Sequence, residues 1–174
     1  MLVVLSDTHR TDGTGLVGAA EAAVAEAEVV VHAGDFTTEA VVDNIREAAG
    51  DAAFHAVHGN ADEPAVIECL PTETTLSYAG VRIAVTHRSR SGTTGLTMFG
   101  RQQGADLVVF GHSHRPTVEQ MGAVTLLNPG SHADPRGAKQ SFAVLRPDNG
   151  TLAGELITVD GEQFATFTVE ADAE

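Results

Sequence analysis

The sequence predicts an α/β (α+β) fold, two mixed β-sheets packed together with helices outside, on three observations. The first third alternates short apolar strands with helical segments, the last third is almost all strand, and polar residues follow the carboxyl ends of successive strands. Residues 2–5 form a continuous apolar run suited to a buried strand ending at Ser6-Asp7. Residues 16–27 are rich in Ala and Glu, with Leu16, Val17, Ala20, Val24 and Ala27 at helical spacing. A second strand, 29–31, runs into His32-Ala33-Gly34-Asp35. Thr37 or Thr38 then caps a helix reaching about residue 49, which Gly50 stops. A third strand, 52–58, ends at Gly59-Asn60. This β-α-β-α-β order puts polar residues at the edge where open α/β sheets bind ligands.

The pattern then changes. Residues 74–78 and 81–86 read as a hairpin about Ala79-Gly80, 94–103 as a short helix, and 107–110 as a buried strand ending at Gly111-His112. Beyond Pro116, strands are expected at 117–121, 124–127, 142–146, 152–159 and 164–169. Asp148-Asn149-Gly150 and Asp160-Gly161 supply turns between them. The 174 residues hold no repeat, linker or low-complexity stretch, so a single domain over 1–174 is expected.

Hydrophobic residues at 43% and charged ones at 20% allow a core and exclude a disordered tail. No apolar run nears the roughly 18 residues of a membrane span, and the start lacks the basic region of a signal peptide. Cys69 stands alone, which excludes a disulfide framework and a thiolate zinc cluster; before Leu70-Pro71 it reads as a packed residue. Twenty-four acids face ten bases, a net charge of -14, and only Lys139 is a lysine. Such a surface repels duplex nucleic acid and suits a halophilic habitat. The expectation is a soluble cytoplasmic protein with neither membrane nor duplex partner. Apolar residues on the late strands, among Leu152, Ile157, Phe164 and Phe167, are candidates for a homo-oligomer or partner interface.

Five segments hold nearly all the chemistry-bearing side chains: Asp7-Thr8-His9, Gly34-Asp35, Gly59-Asn60, Thr86-His87 and Gly111-His112-Ser113-His114. Residues two apart in an extended segment point to one side, so Asp7 with His9, and His112 with His114, can each clasp an ion. Gly34, Gly59 and Gly111 allow sharp turns that lift the next side chain over the sheet edge. Taken singly, these are ordinary turns or surface histidines. Taken in order, each at a strand's carboxyl end, they make a borderline nitrogen and oxygen ligand set suited to Mn, Fe, Zn, Co or Ni. Calcium, which wants oxygen only, fits poorly.

The order Asp-x-His, Gly-Asp, Gly-Asn, His, Gly-His-x-His resembles the calcineurin-like metallophosphoesterase superfamily. Asn128-Pro129-Gly130-Ser131 with Pro135-Arg136 is similar to its small single-domain phosphodiesterase branch. The resemblance covers residues 1 to about 146 and implies a four-layer αββα sandwich with a dinuclear centre at the sheet edge. It would place Asp7, His9, Asp35 and His114 on one metal. Asp35, Asn60, His87 and His112 would hold the other, Asp35 bridging, and these four would carry the catalysis. The implied cofactors are two divalent transition metal ions, manganese foremost, with nickel, cobalt, iron and zinc also suited. Such a pair supplies hydroxide at neutral pH and neutralises phosphate oxygens. The implied partner is a small or nucleotide-like phosphodiester. The alternative is a protein-binding scaffold of the same fold, like the retromer subunit that resembles this branch.

Departures sharpen the expectation. Phosphoprotein phosphatases of the superfamily place a His directly after the Asn, near the leaving group; Ala61 stands here, which favours diesters and activated aryl esters. The branch usually has Gly after the metal-site His, where this chain has Arg88 and then Arg90, candidates to face substrate. Asp62 is expected to orient a metal-ligating His. His132, directly after Asn-Pro-Gly-Ser, is a candidate to reach the cleft. His32, His55 and His58 read as hydrogen-bonded core histidines.

Overall fold

The structure, a computed structural model, describes residues 1–171. It opens with strand β1 (Leu2–Leu5), helix α1 (Gly18–Ala25), β2 (Val29–His32), α2 (Glu39–Ala48), β3 (Ala53–Ala56) and α3 (Pro64–Cys69). A hairpin of β4 (Glu73–Tyr78) and β5 (Val81–Thr86) leads to α4 (Gly92–Gln103) and β6 (Leu107–Val109). The remaining strands are β7 (Thr117–Met121), β8 (Val124–Asn128), β9 (Ser141–Asp148), β10 (Thr151–Thr158) and β11 (Gln163–Glu170). Every expected strand is present within two or three residues at its ends. Sequence periodicity passes over α3, whose six residues are too few to show it; Pro64 in its first turn is the local signal.

Two mixed sheets form. The six-stranded one runs β11-β10-β9-β1-β2-β3 and the five-stranded one β4-β5-β6-β8-β7. Within them β1, β2 and β3 are mutually parallel, as are β5, β6 and β8. Alternation along each strand assigns the layers. Val3, Leu5 and Val30 face α1 and α2 through Ala20, Val24, Val41 and Ile45. Leu2, Val4 and Val31 face the second sheet through Ile83, Val85, Leu107 and Val109. The outer face of that sheet, with Ala84, Val108 and Leu126, carries Leu96 of α4. The result is an αββα sandwich, and the continuous apolar runs of β1 and β2 follow from burial on both faces.

Several local expectations shift. Thr38 occupies the N-cap of α2, but its hydroxyl donates to the Thr11 carbonyl; Glu63 accepts from the first-turn Glu39 N–H instead. Gly104 ends α4 in the left-handed conformation. Cys69 is exposed at the end of α3, where its thiol donates to the Val66 carbonyl, so it is not a packed residue. Leu152 is fully buried between the sheets, and Ile157, Phe164 and Phe167 are half-covered, so none offers a fully exposed apolar surface. Phe167 lies over the bare backbone of Gly154, where a Cβ would strike its ring. No helix among the described residues is long and apolar enough to cross a membrane.

Candidate metal centre

Each candidate side chain sits just past the carboxyl end of a parallel strand. Asp7 and His9 follow β1, Asp35 follows β2, Asn60 follows β3, His87 follows β5, and His112 and His114 follow β6. Because the parallel strands of both sheets end at one edge, five loops converge there. They form two groups whose ligand atoms lie within 4.8 Å of one another: Asp7, His9 and His114, and Asp35, His87 and His112. Asn60 joins the second, its Oδ1 3.2 Å from His87 Nε2. The two groups meet at Asp35, whose Oδ2 is 3.3 Å from both His9 Nε2 and His87 Nε2.

The backbone is strained to achieve this. Asp7, His9, Asp35, His112 and His114 have φ of 54°, 45°, 60°, 71° and 58°. Left-handed values in non-glycine residues cost energy, and their concentration here marks a functional site. This corrects the extended-segment argument. Left-handed turns, not an extended strand, aim Asp7 and His9 into one group, and they send His112 and His114 to different groups instead of to one shared ion.

The donors fit divalent transition metals. Among the described residues, His9 Nε2 and His114 Nε2 are buried without a hydrogen-bond partner, a costly state that a cation would relieve. His87 Nδ1 is held by the Ala33 carbonyl and His114 Nδ1 by the Asp134 carbonyl. If both donate there, each ring's Nε2 is left with a lone pair facing the carboxylates. Burial disfavours the charged form of Asp35, yet the neighbouring His87 and His9 imidazoles hold its carboxyl well below the usual range. Burial would lower the pKa of His87, but its bond to Asp35 and that carboxylate's charge raise it. Burial, with the charges of His87 and Arg88, pushes His112 down.

Residues 1–150 match the calcineurin-like phosphoesterase superfamily domain. The chain belongs to that superfamily. A probable metallophosphoesterase of Methanothermobacter thermautotrophicus is 32% identical over 161 residues, 90% of this chain and 91% of that protein. Among solved structures, wild-type Vps29 from Entamoeba histolytica complexed with zinc shares the fold at TM-score 0.73 and 21% identity, covering 98% of this chain and 99% of that one. The E. coli phosphoesterase YfcE does so at TM-score 0.67 and 23% identity, over 97% and 99%. This phosphoesterase chain therefore carries two candidate metal sites of a family that uses divalent metals.

The glycines of the phosphoesterase motifs have two different roles. Gly34 has φ of 93° and makes a turn, as expected. Gly59 and Gly111 do not have left-handed φ; they permit close approach. A Cβ on Gly59 would overlap Asp35 Oδ1, and one on Gly111 would overlap Ser6 Oγ and crowd Asp7. The carboxylates are fixed by short bonds: Ser6 donates to Asp7 Oδ2 at 2.7 Å and Ala61 N–H to Asp35 Oδ1 at 2.7 Å.

Among the described residues Asp62 makes no hydrogen bond or ion pair with a histidine, which corrects the expected role. Its carboxylate accepts backbone N–H groups of Asp35, Thr37 and Gly59 at 3.1, 2.7 and 2.7 Å, tying together the loops after β2 and β3. Two further positioning residues escaped sequence reasoning as individuals. Asn128 donates to the Gly111 carbonyl, and Ser131 Oγ donates to the Asp7 carbonyl while accepting from Asp134 N–H. The Asn-Pro-Gly-Ser segment thus braces the loops after β1 and β6.

Arg88 and Arg90 line a cleft of about 370 Å³ beside the centre, with His58, Asn60, Thr72 and His87. His58 is therefore a cleft residue, bonded to Thr72 Oγ1 and the Gly59 carbonyl. His55 is half-buried on β3. His32 is a core histidine, fully buried between Thr8 Oγ1 and Gly34 N–H.

His132 does not reach the cleft: it is fully buried, with Nε2 on the Thr14 carbonyl. Burial outweighs that bond and, with the charge of Arg10, pushes its pKa from 6.5 down to about 4. Because folding depresses this pKa, the unfolded chain takes the proton first. The associated stability is complete above pH 6.5 and is lost as pH falls toward 4, by about 3 kcal/mol in all. In urea unfolding at pH 7 and pH 5, wild type should lose about 2 kcal/mol more than His132→Gln. Equal losses would show that His132 carries no such burden.

Proposed function

We propose that this chain is a dinuclear metal-dependent phosphodiesterase of small or nucleotide-like phosphodiesters. The observation that carries the reading is Asp35, one carboxylate oxygen equidistant from a histidine of each group. Asp7, His9, Asp35 and His114 would hold one ion, and Asp35, Asn60, His87 and His112 the other. Bound there, two divalent ions supply hydroxide at neutral pH and neutralise phosphate oxygens. The chain contributes the rest. Carbonyl bonds to Nδ1 orient His87 and His114. Asn60, exposed at the cleft, has an amide that can donate to a phosphate oxygen. Ala61 provides no acid for a poor leaving group, which favours diesters and aryl esters over phosphoprotein.

The scaffold alternative rests on the fold shared with Vps29. All seven positions of the centre retain side chains able to bind metal, which favours the enzyme. The test is hydrolysis of bis-p-nitrophenyl phosphate beside p-nitrophenyl phosphate, using chelated protein resupplied with manganese, nickel, cobalt or zinc. Metal-restored cleavage that prefers the diester is expected; folded protein inert with every metal would refute it. His87→Ala should lower bound metal from two ions toward one and reduce kcat/KM by about 100-fold or more. Unchanged metal content would remove His87 from the ligand set.

A further inference from the structure

The cleft beside the centre is more cationic than the reaction requires. Arg88 and Arg90 face the same cavity as Asn60 and His87, immediately past the end of β5. Both are exposed, and neither forms an ion pair or side-chain hydrogen bond among the described residues. Of the other eight bases, Arg46, Arg136, Lys139 and Arg146 are paired with carboxylates, and Arg10, Arg82, Arg101 and Arg115 line no part of this cleft. On a chain with 24 acids and 10 bases, two unpaired guanidiniums sharing one cleft form a local positive field.

Charge balance says what they await, and this step rests on the phosphodiesterase reading above. Two divalent cations against the carboxylates of Asp7 and Asp35 would leave two positive charges. An attacking hydroxide and a diester monoanion would offset both. The guanidiniums are then surplus to the scissile group and match a further group, a dianion. Their planar donor forks suit phosphate oxygens. The other walls named above are polar or backbone, with no Phe or Tyr ring to stack a base.

We propose that Arg88 and Arg90 form a phosphate subsite, and that the preferred substrate is a phosphodiester that also carries a phosphate monoester. The arginines bind and orient this second phosphate while the ester at the metal centre is cleaved. The cleft volume of about 370 Å³ lies at the small end of ligand sites, suited to a compact, doubly phosphorylated molecule.

Calorimetry on manganese-loaded protein tests this with thymidine 3′,5′-bisphosphate against thymidine 5′-monophosphate. Wild type should bind the bisphosphate at least about tenfold more tightly. The double variant Arg88→Gln/Arg90→Gln should compress that ratio to about threefold or less, and Arg88→Lys/Arg90→Lys should restore part of it. Retained metal content and thermal midpoint would establish that the variants are folded. A wild-type ratio near one, or a ratio unchanged in the Gln variant, overturns the subsite. Wild-type hydrolysis of bis-p-nitrophenyl phosphate separates the two ideas. Turnover without bisphosphate preference sinks only the subsite, whereas neither turnover nor binding of either nucleotide sinks both.

Discussion

Replacing Asp35 by alanine is expected to empty both metal sites and reduce kcat/KM by at least about 1,000-fold, roughly 4 kcal/mol of transition-state stabilisation. The carboxylate is nearly inaccessible, at 2% exposure. Its Oδ1 accepts from Ala61 N–H while its Oδ2 stands 3.3 Å from His9 and His87. Among the described residues no other carboxylate lies within ion-pair distance of a histidine from each group, so its loss is not confined to one of them. The companion Asp35→Asn keeps the shape and removes the charge. It should retain fold and one weak site, showing that charge rather than packing holds the second ion. Inductively coupled plasma analysis of both variants checks the pair; two ions retained by Asp35→Ala would end the bridging assignment.

The second large effect is steric. Gly111→Ala should destabilise the chain by about 3 kcal/mol or more and abolish tight metal binding. The added methyl would overlap Ser6 Oγ and press on Asp7 Oδ2, the carboxylate that also accepts His112 N–H. Gly104→Ala is the comparison. With φ of 59° and nothing within 4 Å of a new Cβ, it pays backbone strain alone, about 1 kcal/mol. Chemical denaturation with metal titration reads both. A Gly111→Ala variant as stable and metal-replete as wild type would show that the loops after β1 and β6 can move apart.

How the sequence announced this site, and where it did not, has a physical pattern. The strands were legible because burial on two faces leaves uninterrupted apolar runs such as Leu2–Leu5. Placing Asp7, Asp35, Asn60, His87 and His112 after strand ends followed from that, since parallel strands deliver their loops to one edge. The strain was invisible: nothing in Asp7-Thr8-His9 says that Asp7 and His9 adopt left-handed φ. The role of Asp62 was also hidden, because a carboxylate bonded to three backbone N–H groups depends on loops brought together from Asp35 and Gly59. His132 misled through proximity. It follows the brace residue Ser131, whose hydroxyl faces the Asp7 loop, while its own ring turns into the core toward Thr14.

In the proposed centre one carboxylate, Asp35, joins two metal sites at the edge where the two sheets meet. Anomalous diffraction from a crystal grown with manganese tests it most directly. Two peaks about 3.5–4 Å apart are predicted, one among Asp7, His9 and His114, the other among Asn60, His87 and His112, with Asp35 between. A single peak, or peaks away from Asp35, would contradict the account.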